Sequence, residues 1–321
     1  MKVSDYYYDL PPELIASHPT PERDASRMLV YRRETGEVIH AHARDFPDFL
    51  QEGDLTVFND SRVLRARIPL ASGGEIFLVE PLGPLRWKCL VKPGRKFRVG
   101  AVIALEGCTA KVEQIFEDGC REISFDHPPD LEKLGRVPIP PYFKREADEE
   151  DNTRYQTVYA HEEGSVAAPT AGLHFTLEML EQIPHTFLTL HVGLGTFLPV
   201  KTENIEEHVM HDERYTLSQE TADAINAAKR IVAVGTTSVR VLESQPPGPV
   251  KAATGTTRAF IYPPYEFRHI GAMLTNFHLP CSTLLMLVSA LAGREQMLEL
   301  YRMAIAERYR FYSYGDCMLI L

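Results

Sequence analysis

Four stretches of small residues constrain this chain more than anything else in it. They are GSVAAPTAGLHF (164–175), HVGLGTF (191–197), VGTTSVR (234–240) and TNFHLPCST (275–283). The last three follow or end short apolar runs at 187–190, 231–234 and 272–274. A stretch with so little side-chain bulk is either a tight turn or a place where a ligand lies on the main chain. A strand leading into a small polar loop is how open α/β sheets build sites at the carboxyl ends of their strands. One such loop reads most simply as a connection. Four in one half of a chain point to a shared pocket.

Between residues 62 and 145 the pattern is different. Short strand-like runs at 76–79, 87–91, 102–105, 111–116 and 121–125 are separated by Gly and Pro turns. This is the signature of a small barrel or sandwich. The expected fold is therefore an α/β domain, residues 1–61 together with 146–321, carrying an inserted small all-β barrel domain at 62–145. The ends of an insert sit close together on their host, so Asp60 and Arg62 of the NDSR turn are expected near the pocket. In the host, strands are expected at 28–31 and 38–42, joined by a turn at Glu34-Thr35-Gly36, with a buried strand at 55–58. Thr176 and Ser218 are expected to cap helices, and 296–308 reads as an amphipathic last helix.

Composition narrows the class. Five cysteines without a CxxC pair indicate neither a zinc site nor a disulfide framework. The longest apolar run, 284–292, is too short to span a bilayer. The amino-terminal residues lack the apolar core of a signal peptide, so a reducing cytoplasm is the expected compartment. The net charge of −10 argues against nucleic acid when read over the whole chain. Residues 62–145, however, hold fifteen Lys and Arg against ten Asp and Glu. Within them VKPGRKFRVG places Lys92, Arg95, Lys96 and Arg98 on one turn. That turn is either a phosphate-facing patch or a solvated hairpin end.

No dinucleotide fingerprint, P-loop or nucleophile elbow occurs. Histidines are the better clue. His174, His191 and His278 sit inside small-residue loops, and His208 and His211 sit in EEHVMHDE beside Glu206. The order HExxH is absent and no cysteine is near, so no metal is expected. Any one of these histidines suits a structural hydrogen bond; as a group they suggest proton handling. Thr236, Thr237 and Ser238 either cap the following helix or bind a ribose or carboxylate. Arg240 suits a carboxylate. Asp316 suits an amine or ribose, or closes a turn. Ser165, Pro169, Thr170, Gly172, Gly195, Thr196, Asn276, Ser282 and Thr283 complete the candidate substrate-binding set.

Taken in order, the four loop motifs with EEHVMH, YDLPPELIASHP, FNDSRV, VKPGRK, STLLMLVSA and RFYSYGDCMLI resemble the S-adenosylmethionine:tRNA ribosyltransferase-isomerases of queuosine synthesis. The resemblance covers nearly the whole chain, and the ordered set is far more specific than any one motif. It implies an enzyme that joins the ribosyl moiety of S-adenosylmethionine to the aminomethyl group of a 7-deazaguanine at the tRNA wobble position. The ribosyl unit is rearranged to an epoxycyclopentanediol, giving epoxyqueuosine, and adenine and methionine leave. S-adenosylmethionine is then a consumed substrate, and no cofactor is implied. The partners are S-adenosylmethionine and a precursor-bearing tRNA, with no membrane, and a monomer is expected. His174, His191, Glu206, His208, His211 and His278 are the expected acids and bases. Lys92, Arg95, Lys96 and Arg98 are the expected tRNA contacts.

The chain departs from the family pattern in places. Leu198 follows HVGLGTF where Arg is frequent, Cys281 stands where Lys is common, and the segment between His174 and His191 is short. Leu198 and Cys281 are expected to weaken phosphate or carboxylate contacts, and the short segment trims a helix–strand connection, while the loop motifs themselves are intact. Two rival readings are a non-catalytic RNA-binding protein and a glycosyl transferase for small molecules. The loop histidines oppose the first, and the basic turn opposes the second.

Overall fold

The structure is a computed structural model that describes residues 1–193, 195 and 200–321. The chain opens with an extended lead-in and a hairpin, β1 (Arg27–Tyr31) and β2 (Val38–His42), in the register Met28 opposite Ala41. Gly36 turns this hairpin with a φ of 74°, a conformation glycine adopts without cost. β3 (Asp54–Asn59) is buried along its whole length, as a central parallel strand must be. The short β4 (Ser61–Val63) leads out of this sheet.

Six strands then pair antiparallel: β5 (Arg67–Pro69), β6 (Glu75–Gly83), β7 (Arg86–Lys92), β8 (Val102–Leu105), β9 (Cys108–Ile115) and β10 (Arg121–Phe125). Their order is β5-β6-β7-β10-β9-β8. Alternation sends Cys108, Ala110 and Val112 of β9 inward, with Ile76, Leu78, Phe97 and Ile123, while the residues between them face water. Leu131 and Leu134 of α1 (Leu131–Leu134) pack on the same core, as does Val166 of the 164–175 stretch. The outer strands β5 and β8 are not paired with each other, so the expected barrel is a half-barrel, a curled antiparallel sheet. After α2 (Asp151–Arg154) the chain returns through β11 (Glu162–Ser165), which runs parallel to β4.

The remaining elements complete the large sheet. They are α3 (Leu177–Glu181), β12 (His185–Leu190), β13 (Glu213–Leu217), α4 (Gln219–Ala227), β14 (Arg230–Val234), α5 (Gly235–Glu243), β15 (Ala253–Thr257), β16 (Ala272–Asn276), α6 (Thr283–Ala292), α7 (Arg294–Ala306) and β17 (Cys317–Ile320). Thr176 and Ser218 cap α3 and α4 as expected, each side-chain oxygen accepting a backbone N–H one turn on. The nine-stranded order is β15-β13-β12-β3-β14-β16-β17-β1-β2. Alternate residues of one strand enter different cores. Ile231 and Ala233 of β14 join Val239, Leu285 and Leu300 from α5, α6 and α7, whereas Val232 and Val234 join Phe175 and Met179. The sheet is thus covered on both sides.

β12, β3, β14 and β16 are mutually parallel. Their carboxyl ends therefore lie along one edge. β17 runs antiparallel to β16, with Cys317 opposite Asn276, so the turn before β17 reaches the same edge. Among the described residues no helix is long and apolar enough to cross a membrane.

Candidate active site

A cavity of about 380 Å³ lies at that edge. All four small-residue stretches reach it: Ala167 to Ala171 from the first, Val192 from the second, Gly235 to Thr237 from the third, and Thr275 to Thr283 from the fourth. Tyr142, Tyr155, Tyr312 and Ser313 complete the wall. Among the described lining residues His278 is the only titratable imidazole, and no Asp, Glu, Lys or Arg is present.

Local backbone explains the shape. Gly235 has a φ of 86°, which lets β14 turn directly into α5. No side chain caps α5, because Val234 occupies the cap position. Ser238 donates to the carbonyl of Val234 at 2.9 Å and does not face the cavity. Thr236 and Thr237 do line it, and Thr237 Oγ1 has no hydrogen-bond partner among the described residues. Ser282 caps α6 by accepting from the N–H of Leu285 at 3.1 Å. Two non-glycine residues on the wall, Cys281 (φ 58°) and Tyr312 (φ 74°), are left-handed. Such strain persists where the surrounding packing holds it, and it collects at ligand sites. The Tyr312 ring stacks on Tyr142 at 4.5 Å, and Tyr142 Oη lies 2.5 Å from Ser313 Oγ.

The expected acids and bases fall into three groups. His278 is on the wall, with Nε2 2.8 Å from Thr275 Oγ1 and its own N–H donating to Tyr301 Oη at 3.0 Å. Burial pushes its pKa down to about 3, so it is neutral at pH 7. His174 is buried behind the wall. The Asn276 amide donates to the carbonyls of Tyr312 (2.9 Å) and Ser313 (3.3 Å), which leaves Asn276 Oδ1 to accept from His174 Nε2 at 3.3 Å. Burial lowers His174 to about 4. His174 thus orients Asn276 rather than touching the cavity, and it is core, not an open loop tip.

The other histidines lie to one side. His191 packs against Gly164, where a Cβ would come within 2.8 Å of its ring, and its buried Nδ1 has no partner among the described residues. Burial and then Arg214 lower its pKa. His208 meets the Phe260 ring edge-on and is lowered by burial, while His211 is exposed and packs beside Gly195. Glu206 is exposed and binds the amino terminus of Met1 at 2.9 Å. Among the described residues none of these four lines the cavity, and no group of three or more His, Cys, Asp and Glu could hold a metal.

Several candidate binding residues prove to position others. Arg240 is not turned to a ligand: it is 4% exposed and pairs with Glu213, which is 5% exposed. The same carboxylate accepts from the N–H of Gly193 at 3.2 Å, so the pair pins the HVGLGTF stretch. Asp316 accepts from the N–H groups of Arg27 (2.9 Å) and Arg310 (2.7 Å), closing the turn before β17. Ser165 Oγ accepts from Val192 N–H at 2.9 Å, tying two of the loops together. A Cβ on Gly172 would lie 2.0 Å from Tyr159 Oη.

Asp60 and Arg62 sit apart from the cavity. Asp60 accepts from Thr189 Oγ1 at 2.7 Å, and burial raises its pKa. Arg62 lines a second cavity of about 350 Å³ where the two sheets join, 3.9 Å from Glu163. Pro169, Thr170, Asn276, Ser282 and Thr283 are where the sequence places them, on the wall. Thr196, like Leu198, lies outside the described residues. On the half-barrel, Lys96 donates to the carbonyls of Ser72 (2.5 Å) and Gly73 (2.9 Å), while Lys92, Arg95 and Arg98 are exposed without an acidic partner among the described residues. Tyr142 and Tyr312 were not among the residues expected from the sequence. Their signal was the aromatic content of IPPYFKR and RFYSYGD.

A ligand-sized cavity at the carboxyl ends of parallel strands, without Asp, Glu, Lys or Arg among its described lining residues, is the small-molecule site of an α/β protein. Here it is joined to an antiparallel half-barrel with a basic turn. The chain belongs to the queuosine biosynthesis protein family, whose sequence model matches residues 3–320. It is 48% identical over 342 residues to the S-adenosylmethionine:tRNA ribosyltransferase-isomerase of Acetivibrio thermocellus, covering 100% of both chains. It is 49% identical over 343 residues to the protein of that name from Natranaerobius thermophilus, covering 100% of this chain and 99% of the relative. The crystal structure of an S-adenosylmethionine tRNA ribosyltransferase from Thermotoga maritima matches with a TM-score of 0.57 and 38% identity, over 99% of this chain and 100% of that one.

Proposed function

We propose that this chain is an S-adenosylmethionine:tRNA ribosyltransferase-isomerase. It transfers and isomerises the ribosyl moiety of S-adenosylmethionine onto the 7-aminomethyl-7-deazaguanine at the tRNA wobble position. The products are epoxyqueuosine-tRNA, adenine and methionine. The observation that carries this reading is that all four small-residue stretches of a chain matched by the family model over residues 3–320 reach one cavity, whose described wall has no Asp, Glu, Lys or Arg.

The chemistry sets what the residues must do. The bond from ribose to adenine, the bond from C5′ to sulfur and a ribose ring C–O bond break, while a bond to the amine nitrogen, a ring-closing carbon–carbon bond and the epoxide C–O bond form; the amine N–H and one C5′ proton are lost. Methionine leaves as the neutral thioether with the C5′–S electron pair. A base takes a C5′ proton, acidified by the sulfonium, and adenine leaves with a proton in place of the ribose. Neutral His278 is the imidazole on the wall for such a transfer. His191, the first residue of the HVGLGTF stretch, whose buried Nδ1 has no partner among the described residues, is the second candidate, and Glu206, His208 and His211 lie further along the chain. Thr236, Thr237, Asn276, Ser282 and Thr283 bind substrate. A site of small apolar walls keeps reactive intermediates from water.

The proposed division is an α/β domain, 1–61 with 146–321, and an inserted domain, 62–145, whose Lys92, Arg95, Lys96 and Arg98 meet tRNA phosphates. S-adenosylmethionine is consumed, with no separate cofactor or metal, by a cytoplasmic monomer. Incubation with S-adenosylmethionine and precursor-bearing tRNA should release one adenine per modified nucleoside. Failure to release adenine, with intact tRNA binding, would favour a binding protein instead.

A further inference from the structure

S-adenosylmethionine brings three charged groups: a carboxylate, an ammonium and a sulfonium. The described cavity wall holds no Lys or Arg to meet the carboxylate. It does hold the amino-terminal ends of two helices. α5, nine residues long, and α6, ten residues long, both begin on the wall, at Gly235–Thr237 and Ser282–Leu284. The first N–H groups of a helix lack intrahelical acceptors and carry the positive end of its dipole. Neither helix has an acidic residue in its first turn to neutralise that end.

The two ends differ in one respect. Ser282 already caps α6, whereas α5 has no side-chain cap. Thr237 stands in the first turn of α5. It is 8% exposed, it lines the cavity, and its Oγ1 has no partner among the described residues. A Cβ built on Gly235 would lie 3.4 Å from that oxygen, so the hydroxyl sits over the very start of the helix. A buried hydroxyl without a partner costs free energy unless something binds it.

We propose that the starts of α5 and α6 form the carboxylate end of the cavity, where Thr237 Oγ1 and the uncapped first turn of α5 hold the amino-acid carboxylate of S-adenosylmethionine. This rests on the substrate assigned above. The anion takes the place that a side-chain cap would fill, as anions do at helix starts. Because helix ends carry fixed partial charges, the end selects a carboxylate at any pH where the ligand is ionised.

The test compares ligands as well as variants. Calorimetric titration of the full chain uses S-adenosylmethionine and its decarboxylated analogue, which differ only in the carboxylate. A hydrogen bond to a charged group is worth about 1.5–3 kcal/mol, so the wild type should prefer the carboxylated ligand by about 10- to 100-fold. Thr237→Val keeps the side-chain shape and should shrink that ratio several-fold by weakening S-adenosylmethionine alone. Equal wild-type affinities for the two ligands would overturn the proposal whether or not the variant folds. Equal weakening of both ligands in a variant with an unchanged melting temperature would also overturn it. No binding of either ligand by the wild type would overturn the assigned substrate as well, and so separates that failure from this one.

Discussion

His174 and His278 are neutral because water is excluded from them, and this has a measurable consequence for pH. Their pKa values lie at about 4 and about 3, below the 6.5 of an exposed imidazole, chiefly through burial. The unfolded chain takes up protons at these positions as pH falls through 6.5, and the folded chain does not. Stability from both is therefore present above pH 6.5 and is lost as pH falls toward 4. For His174 the full loss is about 3 kcal/mol at 1.4 kcal/mol per pKa unit. Urea unfolding at pH 7.5, 6 and 5 should show the decline, and His174→Gln should flatten it. An unchanged slope in that variant would contradict burial as the cause. His174→Ala, by contrast, leaves a void and an unpartnered Asn276 Oδ1, so diminished turnover in that variant reports folding as much as chemistry. The sequence identified these histidines by their small-residue neighbours. It did not separate wall from core, because that depends on which side of the backbone each ring takes.

At the scale of elements, the Arg240–Glu213 pair joins α5 to β13 across the sheet edge. Breaking a buried pair leaves one charge uncompensated and costs about 3–5 kcal/mol. Arg240→Leu should therefore unfold at markedly lower denaturant than wild type, and Arg240→Leu with Glu213→Leu should recover much of the stability. If the double variant is no more stable than the single one, the pair is not the cause. Strands with clear apolar patterning, such as β3, β7 and β14, were legible in the sequence. β13 (ERYTL) and β15 (ATGTT) were not, because they are short, polar edge-side strands whose pairing is set by neighbours far along the chain. The same distance hid the partner of Arg240, since Glu213 lies 27 positions away in a polar run. The 142–312 ring stack was hidden for a further reason. It needs a left-handed tyrosine, which no local propensity announces.

Over the whole molecule, the proposed division gives S-adenosylmethionine to the cavity and tRNA to the half-barrel. The described cavity wall carries no Asp, Glu, Lys or Arg and lies in an acidic chain, while the half-barrel presents Lys92, Arg95 and Arg98 to solvent. Point cations on an exposed turn suit phosphates, which position RNA without reading its sequence. Neutralising Lys92, Arg95 and Lys96 together should weaken tRNA binding. The slope of log affinity against log salt should become shallower by about 0.7 to 0.9 for each tRNA phosphate that no longer meets a cation. Lys96 is already held by two carbonyls, so it should contribute least. S-adenosylmethionine affinity should not change; a fall there with tRNA binding intact would place the turn over the cavity. The strands of the half-barrel were readable from turn spacing. Whether they close was not, because closure depends on stagger between strands rather than on their number.

The five cysteines carry free thiols. Cys89, Cys108, Cys120 and Cys317 are buried, and Cys281 alone is partly accessible, on the cavity wall beside the start of α6. The protein thus contains its own reporter. Brief alkylation at mildly alkaline pH, chosen because burial raises the Cys281 thiol, should add a single label, located by peptide mass mapping to the segment containing HLPCST. Saturating S-adenosylmethionine should slow that labelling, and the rate of protection then follows occupancy in real time without a tag or a coupled assay. Labelling at several sites at once, or at an unaltered rate with ligand bound, would remove Cys281 from the wall.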